Sequence, residues 1–249
     1  RLGNLLLFGL FIILLLAVQF TSPRTVEEII EKFVVARGGN SNLLSVKSIY
    51  MEGVIEIQGK GSAIRMIKVQ DKLSRTEIET SAGNTVLLIT DREACTIFPL
   101  ISPAVNKLPL ESLAELQIET DLCGPLVDHL EKGHKAELLG KDTVDGNPSY
   151  KIKITTKSGK VMKYWIDTGT YLVNKSSAVH LSRKNINIDS IVFYGNYKKI
   201  NGIQFAHTIE IRSSETNESA SGEEITFNTI LVNTIIDPSM FIINNYHNK

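Results

Sequence analysis

The stretch YWIDTGTYLVNK, residues 164–175, reads as strand, turn, strand. It holds the chain's single tryptophan and no evident catalytic group. On the first arm Met162, Tyr164 and Ile166 share one face, and Val161, Lys163 and Trp165 share the other. On the return arm Tyr171 and Val173 stand opposite Leu172. Both faces are therefore partly apolar. An antiparallel sheet with one wet face should alternate apolar and polar residues. The runs IVFYGNY, IQFAHTIEI and ITFNTILV repeat the two-faced habit. A sheet covered on both sides accounts for it, and so does a curved sheet whose concave face is lined for an apolar guest.

Working outward, the period is two almost everywhere after Ser48. SIYMEGVIEIQGKGSAIRMIKVQDKLSRTEIET divides into three strands, with a bulge expected at Gly53. NTVLLITD and ACTIFP follow, then seven later strands from HKAELLG to EITFNTILVNT. The short turns VDGNP, KSG, DTG and KKING fit consecutive antiparallel hairpins. Two segments break the rhythm. TVEEIIEKFVVARGG, from Thr25, is an amphipathic helix with a Thr25/Glu28 capping pattern and a Gly38-Gly39 stop. The stretch from Pro99 to about Glu131 carries four prolines and leucines at helical spacing, among them Leu110, Leu113 and Leu116. A second short helix is expected near Pro125, carrying Leu126, Val127 and Leu130.

The 249 residues carry 27 basic and 27 acidic side chains, and this neutral balance gives no footprint for nucleic acid. Residues 1–22 place Arg1 before an apolar run from Leu5 to Val18, with no acid before Glu27. That is the order of an export signal, with an uncleaved anchor as the other reading. Residues 23–249 are expected to form one domain in the periplasm. Export would let Cys95 and Cys123 pair, although two separate buried thiols fit the sequence as well. The chain has no H-E-x-x-H, no G-x-S-x-G, no phosphate loop and no metal-ligand spacing of its five histidines. The turn aspartates Asp142, Asp145, Asp167 and Asp237 read as backbone caps. The expectation is a protein without enzymatic activity and without a cofactor.

The ordered set of pieces resembles a known family. The N-terminal helix, the early strands, the Pro-rich insertion, YWIDTGTYLV, NYKKINGIQFAHTI and IIDPSMF together look like the LolA/LolB-like superfamily of outer-membrane lipoprotein carriers. The match is to its predicted lipoprotein-sorting branch in Bacteroidetes-type bacteria, over about Thr25 to Phe241. Ala206 stands where the family tends to carry Pro. The resemblance implies a mostly β chain: a half-open antiparallel β-barrel of about eleven strands, with helices covering the concave face. It also implies a periplasmic carrier that holds lipid or lipoprotein acyl chains and meets a membrane-bound donor or acceptor protein. The alternative is an envelope sensor or interaction protein that binds a lipidated or misfolded partner. Cavity and lid residues expected on these grounds are Leu110, Leu113, Leu116, Leu126, Trp165, Tyr164, Ile166, Phe193 and Phe205. The best-known carrier of the family latches its lid with an arginine. Arg65, Arg75 and Arg92 are candidates by strand location alone.

Overall fold

The computed structural model describes residues 25–181, 187–213 and 222–242. The apolar N-terminal run and most of the polar tip around SSETNESASGEE lie outside the described residues. Thr25 caps helix α1 (Val26–Arg37) by accepting from the Glu28 amide at 3.2 Å. Gly38 and Gly39 end it with positive φ of 140° and 84°. A one-turn helix α2 (Asn40–Leu44), not anticipated from the sequence, leads into the sheet.

Thirteen strands follow. They are β1 (Ser48–Ile57), β2 (Lys60–Val69), β3 (Leu73–Thr80), β4 (Gly83–Thr90), β5 (Ala94–Phe98) and β6 (Ser102–Lys107), then β7 (Lys135–Val144) and β8 (Asn147–Thr155). The rest are β9 (Val161–Asp167), β10 (Val173–Leu181), β11 (Asn187–Ile200), β12 (Ile203–Ser213) and β13 (Glu223–Val232). All pair antiparallel in one sheet of order β6-β5-β4-β3-β2-β1-β13-β12-β11-β10-β9-β8-β7. The count exceeds the twelve strands read from the sequence by one and the eleven or so that the resemblance implies by two. One unforeseen strand is β6, inside the Pro-rich stretch. It tolerates Pro103 because it is an edge strand, where one side needs no ladder partner.

The hairpins are set by local chemistry. Asp145-Gly146 (φ 48° and 81°) and Asn201-Gly202 (φ 47° and 84°) have positive φ at both central positions, as the primed two-residue turn demands. The turn of the YWIDTGTYLVNK hairpin is longer. There Asp167 Oδ1 accepts from the amides of Gly169 and Thr170 at 3.0 and 2.7 Å.

The order has a consequence for the cavity. The chain zigzags from β1 out to one edge at β6, then must reach the other edge at β7 before zigzagging back to β13 beside β1. Residues 108–134 make that crossing over the concave face. They hold helix α3 (Leu110–Leu116), a 3-10 turn (Gln117–Thr120) and a run of turns. The helix expected near Pro125 is absent. Gly124 (φ 78°) and Asp128 (φ 50°) bend that segment into turns instead. Even so, Leu122, Cys123, Leu126 and Val127 join one core with Ile29, Ile30 and Phe33 of α1 and with Ile152, Ile154, Tyr164 and Ile166 of the sheet.

The convex face has its own cover over the first half of the sheet. Ile236, Met240 and Phe241, after β13, pack on Ile67, Leu73 and Leu88. Arg75 donates to the carbonyls of Met240 and Ile242 at 3.2 and 3.1 Å, and its guanidinium pairs with Glu77 at 2.7 Å.

Candidate functional site

Between the concave face, the end of α1 and residues 121–126 lies a cavity of about 280 Å³. Its walls are largely aromatic and aliphatic: Phe33, Met51, Leu126, Tyr164, Phe205 and Phe227. Three tyrosines commit their hydroxyls to the wall or to its neighbours. Tyr197 donates to the Val173 carbonyl at 2.7 Å, Tyr194 shares a hydrogen bond with Ser176 at 2.9 Å, and Tyr164 lies 3.6 Å from the Met162 sulfur. Burial, the largest cause, pushes all three phenols above the usual range, while Arg37 pulls each of them back. They remain neutral, which suits an apolar lining.

The polar groups of the cavity hold its cover in place. Arg37, at the last turn of α1, donates to the carbonyls of Leu122 and Cys123. Lys68 on β2 pairs with Glu119 at 3.0 Å, and Asp121 pairs with Lys132 at 2.7 Å. Leu122 donates its amide to Gln70 Oε1 at 2.9 Å, and Asp71 donates its amide to the Thr120 carbonyl at 3.1 Å. The Asp121–Lys132 pair braces the cover internally, and the other contacts tie residues 119–124 to the sheet and to α1.

Of the residues expected to form the cavity and lid, Tyr164, Phe205 and Leu126 line it. Ile166 is fully buried on the same face but belongs to the core beneath. Leu110, Leu113 and Leu116 do not line the cavity. Leu110 is 75% exposed, and α3 packs near β5 at the far edge. The helix has only seven residues, so the chain passes over β3 and β4 as the 3-10 turn before it reaches the cavity.

Trp165 and Phe193 require a correction, because both stand on the convex face. Trp165 pairs across the sheet with Lys151 and Lys175, and Phe193 pairs with Lys175. The Lys151 and Lys175 ammonium groups lie 4.9 and 4.5 Å from the indole centroid, and Asp142 accepts from the indole N–H at 2.9 Å. Arg212 lies 4.5 Å from the Phe193 ring. Long cationic side chains cover these rings with their stems, so Trp165 is only 5% exposed although it joins no apolar cluster among the described residues. This explains the two-faced strands in this half of the sheet. Trp165→Ala is expected to cost about 2 kcal/mol in urea denaturation, less than the ~3–5 kcal/mol of a core tryptophan. It should leave cavity binding unchanged. A loss of binding in a folded W165A protein would tie the convex face to the cavity after all.

The sequence candidates for a latching arginine also move. Arg65 and Arg75 join Glu52 and Glu77 in a convex-face cluster, and Arg92 sits exposed in a turn. Among the described residues, Arg37 is the arginine that meets the cover. Cys95 and Cys123 are free and buried, and burial pushes both thiols up. The Cys123 thiol donates to the Leu43 carbonyl at 3.1 Å.

No protein family and no curated protein matches the sequence. Solved structures do match. A LolA superfamily protein of Nitrosomonas europaea superposes with TM-score 0.55 and 12% identity, over 88% of this chain and 98% of that one. A DUF1329 family protein of Desulfovibrio piger gives TM-score 0.57 and 15% identity over the same shares. A domain assigned to an outer membrane lipoprotein-sorting protein of Vibrio parahaemolyticus gives 0.53 and 15%, over 87% and 95%. At these identities the likeness is one of architecture, and by architecture this chain carries the open antiparallel fold of the LolA superfamily.

Proposed function

We propose that the protein is a non-covalent carrier of a lipid, or of the acyl chain of a lipoprotein, in the cell envelope. The observation that carries this reading is the aromatic cavity beneath residues 121–126, part of the 108–134 segment that bridges the two open edges of the sheet. The fold supports it, since one structure of the same architecture is assigned to lipoprotein sorting. The chemistry supports it too. The arginine, lysine and tyrosine side chains that line the cavity are engaged in holding its walls and cover, and nothing in the arrangement of its polar groups sets a nucleophile beside a base. Burial lowers the pKa of His129 and His134, and both lie on the cover segment outside the cavity lining. The Leu5–Val18 run fits export to the periplasm, where such a carrier would pass cargo to a membrane-bound partner protein.

The direct test is lipid extraction from the protein purified from its host, followed by transfer of a labelled acyl chain between two vesicle populations. Bound lipid and faster transfer are the expected results. Bound lipid without transfer would favour an envelope sensor, and neither would end the carrier reading.

A carrier must open, so the cover should be held less firmly than the sheet. Arg37→Ala removes the two hydrogen bonds to Leu122 and Cys123. A hydrogen bond to a charged group is worth about 1.5–3 kcal/mol, and each ~1.4 kcal/mol is tenfold. One such bond at the low end already gives a decade, so amides of residues 121–127 should exchange at least tenfold faster in the variant, while those of 161–167 stay protected. Unchanged exchange at 121–127 would mean that Arg37 does not hold the cover.

A further inference from the structure

We propose that the cargo carries an anion next to its apolar chain, and that Arg37 receives that anion; this rests on the carrier reading above. Three charged side chains line the cavity: Arg37, Lys68 and Asp121. Lys68 is neutralised by Glu119 and Asp121 by Lys132. Among the described residues no carboxylate pairs with Arg37. Its guanidinium meets only the Leu122 and Cys123 carbonyls and the Phe33 ring, 6.0 Å from its centroid. The charged groups at the cavity therefore sum to one positive charge, and that charge sits at the junction of α1 and the cover.

The placement makes this charge informative. A partly buried cation without a counter-ion is costly, and carbonyl dipoles meet only part of that cost. The guanidinium keeps N–H donors to spare, in the planar fork that suits a phosphate or carboxylate. Space is present beside it: a Cβ built on Gly124 would lie 3.7 Å from Arg37 Nη1, with no nearer neighbour. Gln204 lines the same cavity, and its buried Oε1 has no hydrogen-bond partner. Turned over about its terminal torsion, that side-chain amide would present its N–H edge to an anion. A neutral head would leave Arg37 unmet, and an amine head would be repelled. Because the same guanidinium holds the cover, an anion that engages it competes with the Leu122 and Cys123 carbonyls. Loading would then loosen the segment that must move.

Calorimetric titration of the full chain tests this with four probes kept below their micellar concentrations: inorganic phosphate, decyl phosphate, decyl maltoside and decyltrimethylammonium. The wild-type protein should bind decyl phosphate at least tenfold tighter than decyl maltoside, and decyltrimethylammonium most weakly. Phosphate alone should not bind measurably, because the aromatic walls need a chain. Arg37→Gln should erase the preference for the anion: the ratio of decyl phosphate to decyl maltoside affinity should fall to about one, whatever the loosened cover does to both affinities together. Arg37→Lys should keep part of the preference, since the charge stays and the fork is lost. Added salt should shrink the wild-type preference. Equal affinity for the phosphate and maltoside heads in the wild type would overturn the assignment while leaving the carrier reading intact. So would a preference that survives in folded R37Q. Tight binding of phosphate alone would point to a free anion site and also overturn it. No binding of any chain would overturn both readings.

Discussion

Gly53→Ala is expected to lower the stability of the fold by at least ~3 kcal/mol. Strands β1 and β13 form the seam of the sheet: the two halves of the chain, β1 to β6 and β7 to β13, meet as hydrogen-bonded neighbours only there. The seam carries a bulge at Glu52/Gly53, as the sequence leads one to expect. A Cβ on Gly53 would lie 2.1 Å from the Thr226 carbonyl oxygen, 2.8 Å from its carbon and 2.9 Å from Phe227 Cα. All three atoms are backbone, so no rotamer relieves the clash. Either the seam separates locally or its register slips. A one-residue slip would turn the buried Ile55, Ile225 and Phe227 out of the core. Overpacking against side chains costs about 1–3 kcal/mol, and backbone gives less readily. Against a typical total of ~5–15 kcal/mol, such a loss is large. Urea denaturation should show a lower midpoint at an unchanged slope. Gly195→Ala is the control. Gly195 lies inside β11, and its Cβ would meet nothing nearer than Thr208 Cβ at 4.0 Å. Midpoints for G53A and G195A that coincide would refute the steric account.

Much of the fold is legible in the sequence because it is built from local units. Each hairpin has its own turn residues, and the α1 cap and the Gly38-Gly39 stop depend on neighbours in sequence; Gly53 betrays its bulge by interrupting the strand pattern, although its partners lie on β13. Much of the cavity is not legible, for identifiable reasons. Tyr194 and Tyr197 are three positions apart, and strict alternation puts them on opposite faces. They line one cavity because Asn196 adopts a left-handed conformation (φ 51°) and the pairing skips from Gly195↔Thr208 to Tyr197↔Ala206. Trp165 misleads in the other direction. Its size suggests the core, yet its cross-strand partners are lysines whose stems bury it. Arg37 reads as an ordinary cation in the last turn of a helix. Its role depends on Leu122 and Cys123, more than eighty positions away, which no local pattern reveals. The leucines of α3 show the limit of helical spacing. The stripe is real, but seven residues at the sheet edge fall short of the cavity.

Ala206→Phe is expected to cut cargo affinity by about a hundredfold while leaving the fold in place. Ala206 lines the cavity and pairs across the sheet with Tyr197, another lining residue. A phenyl group there enters space that the free protein leaves open, next to Ile209 and Phe205 in the same wall. In the free protein the ring buries apolar surface without displacing packed atoms, so stability should hold or rise. In the loaded protein the ring and the chain compete for a cavity of only about 280 Å³. Each methylene expelled forfeits about 0.8 kcal/mol, so losing three or four costs ~2.5–3 kcal/mol. At ~1.4 kcal/mol per decade that is about a hundredfold. Titration of the A206F protein with decyl phosphate and decyl maltoside should show the same loss for both, because the ring excludes the chain and not the head. This separates it from Arg37→Gln, which should remove the difference between the two heads. Thermal melting monitors the fold alongside. An A206F protein that melts like the wild type and binds both probes undiminished would place the cargo elsewhere on the sheet.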